Sequence, residues 1–453
     1  MSEEATLDEF AQTEHSNERK ETPIGELPAD WDVEWLNSVV TINSDGFSED
    51  DWPSDTFEYI SLSEASNGDI LGSKTTRIDE APSRAQRTVQ QGDVLVGTVR
   101  PKQKSHGLIT EEHDCKICSS GFGVLRTGPN LNSHYLIQEV LSNRFFSQME
   151  AYVAGSGYPA VKLSDLKKHR VSIPPLSEQR KIATVLYTVD QAIEKTEKII
   201  NHTGKLRKAL IDNLFVTGYR EHREQQTQYI GPRKVEYPAG WASVKIEDIA
   251  EKVTKGKTPT SYGYDYLDSG INFIKAESIL DHGGFDKTVF DHIGKEAHKH
   301  LHGSELQEDD VLFSIAGALG KVEQVTKEVL PANTNQALAL IRIDEPRVSP
   351  EYVRYYLETT IIQKYIQSIA TTTAQSNLNL KQVSEFRILL PDIEEQQEIL
   401  EVIHDVERKL KNERTQKQTL ERFKQGLMQD LLSGTVRTTD TNITVPDEVA
   451  QHG

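Results

Sequence analysis

Two cysteines, three alternating histidines and several short basic stretches are the side chains whose spacing bears on chemistry. Cys115-Lys116-Ile117-Cys118, with His113 just before it, has the two-residue gap of half a zinc or redox site. With no second cysteine pair in the chain, the simpler reading is two small strand residues in a reducing compartment. His298, His300 and His302 alternate, which places them on one face of a strand, yet no carboxylate or cysteine is spaced to complete a metal site. Gly317-Ala318-Leu319-Gly320-Lys321-Val322 lacks the spacing and the hydroxyl of a P-loop. No Gly-x-Gly-x-x-Gly and no Asn-Pro-Pro-Tyr-like methyltransferase tetrad occurs. The expectation is a chain with no catalytic residues, no metal and no cofactor of its own.

The basic stretches point to a different chemistry. Arg100, Lys102, Gln103 and Lys104 follow an apolar run, where a loop is well placed to read a ligand. Lys255, Lys257 and Thr258 lie in a turn-rich segment. Both groups read either as DNA contacts, with arginine able to fork onto guanine and lysine positioning phosphates, or as solvated loops. Ser156-Gly157-Tyr158 and Gln375-Ser376-Asn377 occupy matched places in the chain. Their small and amide side chains suit close approach to DNA, and a turn into the following strand explains them equally well.

Net charge weighs against the nucleic-acid reading at first sight: 51 Lys and Arg stand against 70 Asp and Glu, a balance of -19. The acid is concentrated, however. The first 22 residues carry seven acidic groups, and residues 45–58 hold six with no lysine or arginine. Such a distribution leaves other faces available and suits a protein kept soluble in a salt-rich, halophilic cytoplasm. No run of about 18 apolar residues and no apolar signal-peptide core is present, so a cytoplasmic location without membrane contact is expected.

These candidate residues sit on a framework that occurs twice. Tyr135 and Tyr352, Leu163 and Leu380, Arg170 and Arg387, Pro174 and Pro391, Gln179 and Gln396, and Val189 and Val406 are each 217 residues apart. Asp93-Val94-Leu95 and Asp310-Val311-Leu312 share that spacing, and the Pro-Ala-x-Trp of residues 28–31 returns at 238–241. Within each copy, β-rich runs at residues 93–99, 311–315 and 337–343 alternate with turns and a few amphipathic helices such as residues 133–152. Strands and helices do not alternate regularly, so the class is α+β.

A proline-bounded strand end then leads into a long helix in each copy, at Pro174-Pro175-Leu176 and Pro391-Asp392-Ile393. In the first helix Ile182, Val185, Val189, Ala192, Thr196, Ile199, Thr203, Leu206 and Leu210 follow the alternating spacing of a coiled-coil seam. The second carries Ile399, Val402, Val406, a polar middle at Lys409, Glu413 and Gln416, then Leu420, Phe423 and Leu427. The polar middle is expected to pack weakly or to face another chain. The boundaries read as a disordered acidic tail at 1–22, a domain at 23–175, a helix at 176–218, a linker at 219–234, a second domain at 235–391, a second helix at 392–434 and a disordered tail at 435–453. Antiparallel pairing of the helices would separate the two domains, with residues 182–214 making a rod of roughly 50 Å at about 1.5 Å per residue.

Taken together, these residues resemble the specificity subunits of type I restriction-modification systems. The resemblance rests on Pro174, Gln179 and Ile182 with their copies Pro391, Gln396 and Ile399, on Gly-Lys-Thr-Pro-Thr at 256–260, and on residues 309–317 running on to Gly320-Lys321. Thr334-Asn335-Gln336 and residues 375–380 add to it, and the likeness covers about residues 23–434. The first copy departs more, with Val99-Arg100-Pro101-Lys102 where the second is glycine-rich. The resemblance implies two target-recognition domains, each reading half of a split site in double-stranded DNA, and spacer helices that set the gap and dock two methylation subunits. Those partners would bind S-adenosylmethionine, and restriction subunits would complete the assembly. A single-chain enzyme with its own methyltransferase and a scaffold that never touches DNA are the competing classes.

Overall fold

The computed structural model describes residues 18–48, 52–153, 159–281, 283–372 and 377–450. By internal contacts the chain divides into two units, residues 1–197 with 415–453, and residues 198–414. Each unit therefore takes part of both long helices.

The first unit is built on an antiparallel sheet in the order His106–Leu108, Val94–Gly97, Phe122–Thr127, Val40–Ile42. The second unit repeats it as Val322–Gln324, Val311–Ser314, Leu338–Ile343, Ala250–Lys255. Val94–Gly97 and Val311–Ser314 are buried along their whole length, as a continuous apolar run between turns requires. A smaller sheet lies beside each. In the first unit its order is Lys74–Arg77, Thr56–Ile60, Ile117–Ser119, Ala85–Thr88, and in the second Asp291–Ile293, Ile271–Ile274, Ala332–Thr334. Both contain one parallel pair, Thr56–Ile60 with Ile117–Ser119 and Ile271–Ile274 with Ala332–Thr334. The strand Ala85–Thr88 is reduced in the second unit to a single antiparallel bridge, Glu305 with Asn333.

The 217-residue repeat has a hydrogen-bonding basis. The Gln179 amide accepts from the Asn132 N–H at 2.8 Å and donates to the carbonyls of Asn130 and Pro174. Gln396 does the same with the Ser349 N–H at 2.9 Å and the carbonyls of Arg347 and Pro391. Each glutamine thus ties a long helix to the start of a domain helix. Tyr135 Oη donates to the Ser172 carbonyl and Tyr352 Oη to that of Leu389. Arg126 forks onto Asp93 at 2.8 Å, and Arg342 onto Asp310 at 2.7 Å. These bidentate pairs lock the sheet at the same point in both copies.

The long helices are Leu176–Thr217 and Ile393–Leu432. In the first unit Lys424 pairs with Asp190 at 2.6 Å and Lys417 with Glu197 at 3.3 Å. In the second, Arg207 pairs with Glu407 at 2.6 Å while the Tyr219 N–H donates to Glu395. Partner numbers fall as helix numbers rise, so the helices pack antiparallel in both units. The expected seam holds only in part. Ile182, Val189, Thr196 and Thr203 are buried, but Ile199, Leu206 and Phe423 are 42%, 60% and 50% exposed. A helix of 3.6 residues per turn drifts by ~20° per heptad against a 3.5 repeat, so a straight helix carries later positions off the contact. By its last turns the contact has moved to Ile211, Leu214 and Phe215, all buried. In the polar middle of the second helix, Leu410 is buried instead.

Four segments differ from their expected form. Arg19–Thr22 is a strand paired with Gly25–Pro28, not part of a tail. Within the linker, Gln225–Ile230 pairs with Arg233–Pro238 as a hairpin whose Ile230 is buried. Residues 133–152 form two helices, Ser133–Leu141 and Asn143–Ala151, broken where the Ser142 hydroxyl caps the second by accepting from the Phe145 N–H. The stretch after residue 434 is packed onto the first unit. Arg437 forks onto Glu178 and Asp30, the Asn132 amide donates to the Val449 carbonyl, and Val449 is fully buried. Glu178 also accepts from Trp31 Nε1, and its copy Glu395 accepts from Trp241 Nε1 and from His222.

Candidate nucleic-acid interface

In the second unit two motifs far apart in sequence meet. Gly256 follows the strand Ala250–Lys255, and its N–H donates to the Asn335 carbonyl at 3.0 Å. A Cβ there would stand 1.8 Å from the Thr334 carbonyl oxygen, so only glycine lets the loop cross that strand end. Beyond it, Thr258 Oγ1 donates to Gln336 Oε1, and Asn335 Oδ1 accepts from the Ala337 N–H at 3.0 Å. The crossing turns Lys257 outward, with Nζ 5.3 Å from the centre of the Tyr262 ring. His300 packs against both Tyr262 and Tyr264, at ring separations of 5.3 and 5.6 Å. Lys255, Lys257, Tyr262 and His300 are exposed. The loop thus presents ammonium groups beside an aromatic face, a combination that suits phosphate and base contacts.

The histidine run is not a strand. His298 and His300 lie on the short helix Lys295–His300, and His302 begins a 3-10 turn. A helix separates alternate residues by roughly 200°, which undoes the shared face. His298 is held by Asn333, whose Oδ1 accepts from its ring at 2.5 Å, so its role is structural. Cys118 is buried in the strand Ile117–Ser119, with its thiol pushed up to about 12 by desolvation, while Cys115 is exposed at a left-handed turn. Among the described residues no group of three or more His, Cys, Asp or Glu is arranged to hold a metal ion.

The first unit carries its basic loop at the end of Val94–Gly97. Pro101–Gln103 is a 3-10 turn flanked by Arg100 at φ 48° and Lys104 at φ 47°. Left-handed backbone at a non-glycine residue costs roughly 1–2 kcal/mol, and two such residues around one turn mark a loop held in a chosen shape. Backbone bonds fix it: the Arg100 N–H donates to the Pro159 carbonyl at 2.8 Å and the Gln103 N–H to that of Arg100 at 2.9 Å. Behind the loop, buried His106 accepts from the Gly97 N–H through Nδ1 at 3.1 Å, and burial depresses its imidazole to about 4.

The four residues singled out in this loop point different ways. Arg100 and Lys102 are exposed, Lys102 with a loose 3.6 Å pair to Glu150. Gln103 lines a concavity of about 610 Å³. Lys104 lines another of about 580 Å³, walled by Asp69, Asp190, Glu194, Glu197 and Glu421. Desolvation and the neighbouring Asp190 hold Asp69 above the usual carboxylate range. Lys417 and Lys424 share that lining, so Lys104 sits in a concavity of mixed charge, with five carboxylates and three lysines. Asn377 is exposed, and Ser156, Tyr158, Gln375 and Ser376 lie outside the described residues. Sequence reasoning passed over Gln336, Tyr262 and His300 as contacts. The Thr334-Asn335-Gln336 motif was visible, but only the crossing at Gly256 shows which loop it supports.

A family model described as the type I restriction modification DNA specificity domain matches this chain twice, over residues 28–202 and 238–422. The chain is 22% identical over 435 residues to the type I restriction enzyme MjaIX specificity subunit of Methanocaldococcus jannaschii, covering 93% of this chain and 96% of the relative. It is 28% identical over 240 residues to the type I restriction enzyme EcoBI specificity subunit of Escherichia coli, covering 50% and 49%. A solved structure described by complex assembly and conformational transition of the type I R-M system superposes with a TM-score of 0.59 at 22% identity, over 90% of this chain and 99% of that one.

Proposed function

Because this chain belongs to the family of type I restriction modification DNA specificity subunits, we propose that it reads a split, asymmetric target in double-stranded DNA and docks two methylation subunits. The observation that carries the reading is one framework with two different sets of loops. Asp93 with Arg126 and Asp310 with Arg342 hold the same sheet in each unit. From the matched strands emerge Arg100-Pro101-Lys102-Gln103 in one unit and the glycine-rich residues 316–320 in the other. A duplicated frame conserves how a loop is presented, and divergent loop chemistry makes the two presented surfaces read different bases.

The chain itself performs no chemistry in this reading. S-adenosylmethionine and the methyl transfer to adenine belong to the methylation subunits, and cleavage belongs to restriction subunits. No described helix is long and apolar enough to cross a membrane. The paired long helices set the unread gap, and the face bearing Lys409, Glu413 and Gln416 meets a methylation subunit. With a net charge of -19 the isolated chain binds DNA weakly, and the basic surface of its partners supplies the missing phosphate contacts. Co-expression with the methylation subunits, followed by selection from random duplexes, tests this. The expected result is a stable complex that enriches two short blocks, with little enrichment by the chain alone at the same salt. Recovery of no complex, or of random duplexes from the complex, contradicts it.

A further inference from the structure

The concavity lined by Gln103 differs from its neighbours in charge. Two other concavities of the first unit are walled by carboxylates, one by Glu111, Glu112 and Glu448 and one by the Asp69, Asp190 and Glu194 group. Among the described residues no carboxylate lines this one, although the chain holds 70 acidic residues and Glu64 accepts from the Ser61 hydroxyl on its wall. Its walls carry the serines 61, 63 and 119, with Leu71 and Gln103 on its lining and Arg84 among them. Arg84 is exposed, and among the described residues its guanidinium has no hydrogen bond and no ion pair. An unpaired guanidinium in so acidic a chain retains its five donors for a ligand.

Its backbone is not loose. Arg84 immediately precedes the strand Ala85–Thr88, and its carbonyl accepts from the Ser120 N–H at 2.7 Å. At the matching place the second unit has a single antiparallel bridge, Glu305 with Asn333, where the first has a four-residue strand. The concavity therefore sits on a hydrogen-bonded strand end, beside the strained turn that carries Arg100 and Lys102. Leu71 is 68% exposed on the same lining, an apolar surface of the kind that meets a thymine methyl group.

We infer that this carboxylate-free concavity is the base-reading surface of the first unit, with Arg84 donating a forked pair of hydrogen bonds to a guanine edge and Gln103 available to an adjacent base. The inference rests on the proposed function and names a residue that carries it out. Arginine matches the O6 and N7 acceptors of guanine in the major groove, and because a guanidinium also forks onto phosphate, loss of discrimination at one base separates the two.

The test maps methylated sites for the complete complex carrying wild-type chain, Arg84→Ala or Arg84→Lys, with thermal melting of each. The wild type should show one guanine in one block whose replacement slows methylation about ten- to hundredfold, the range of a bidentate base contact. Arg84→Ala and Arg84→Lys should both abolish that discrimination, leave the other block unchanged and melt like the wild type. Unchanged preference in Arg84→Ala overturns the inference. So does recovery by Arg84→Lys with a loss in Arg84→Ala that is uniform across sequences, because that marks a phosphate contact. A wild-type complex with no sequence preference overturns the proposed function instead, and the two failures are distinct.

Discussion

Gln179 and Gln396 show how a single side chain can hold a whole domain entrance. Each amide satisfies one buried N–H and two carbonyls, in places that apolar packing alone cannot serve. Replacing either by alanine leaves those groups unpaired, and the loss should be about 1–3 kcal/mol, read as a shift in urea unfolding. His106 offers a second test at this scale. Burial lowers its imidazole to about 4, and its Nδ1 accepts from Gly97, so the fold requires the neutral ring. The unfolded chain takes up its proton near 6.5, so this contribution is complete above that pH and is lost as pH falls toward about 4. His106→Asn retains an acceptor but does not titrate. Between pH 7 and pH 4 the wild type should lose up to about 3 kcal/mol more than the variant, and parallel profiles would refute the assignment.

Elements were legible in the sequence where periodicity and proline agreed. The helices expected at 176–218 and 392–434 are Leu176–Thr217 and Ile393–Leu432. Their seam was legible only at one end, because heptad spacing read from sequence does not show whether a helix supercoils or stays straight. The consequence is measurable. Leu410→Ala should cost about 2–4 kcal/mol and Leu206→Ala under about 0.5 kcal/mol, although only Leu206 lies on the heptad stripe. Equal losses in thermal unfolding would restore the uninterrupted seam. The segment beyond residue 434 was unreadable for another reason. It has no apolar period, and its anchors are isolated residues, Arg437 on Glu178 and Val449 in the core, whose partners lie more than 250 positions away. Arg84 escaped notice in the same way, since only strand pairing between Ala85–Thr88 and Ile117–Ser119 places it beside Gln103.

At the scale of the molecule, duplication accounts for more than any single motif. A shared frame of paired tyrosines, glutamines and aspartate–arginine forks recurs at a spacing of 217 residues, 216 between the arginines, while the loops it carries diverge. Lys257 and Thr258 are presented by a glycine crossing, and Arg100 and Gln103 by a strained 3-10 turn. Two different reading surfaces on one chain mean two different blocks of sequence. Methylome sequencing of cells expressing this chain with its methylation subunits tests that claim most directly. The account predicts modified adenines within a target of two dissimilar blocks separated by a fixed gap of unread bases. A continuous target, or two blocks related by perfect inversion, would contradict it.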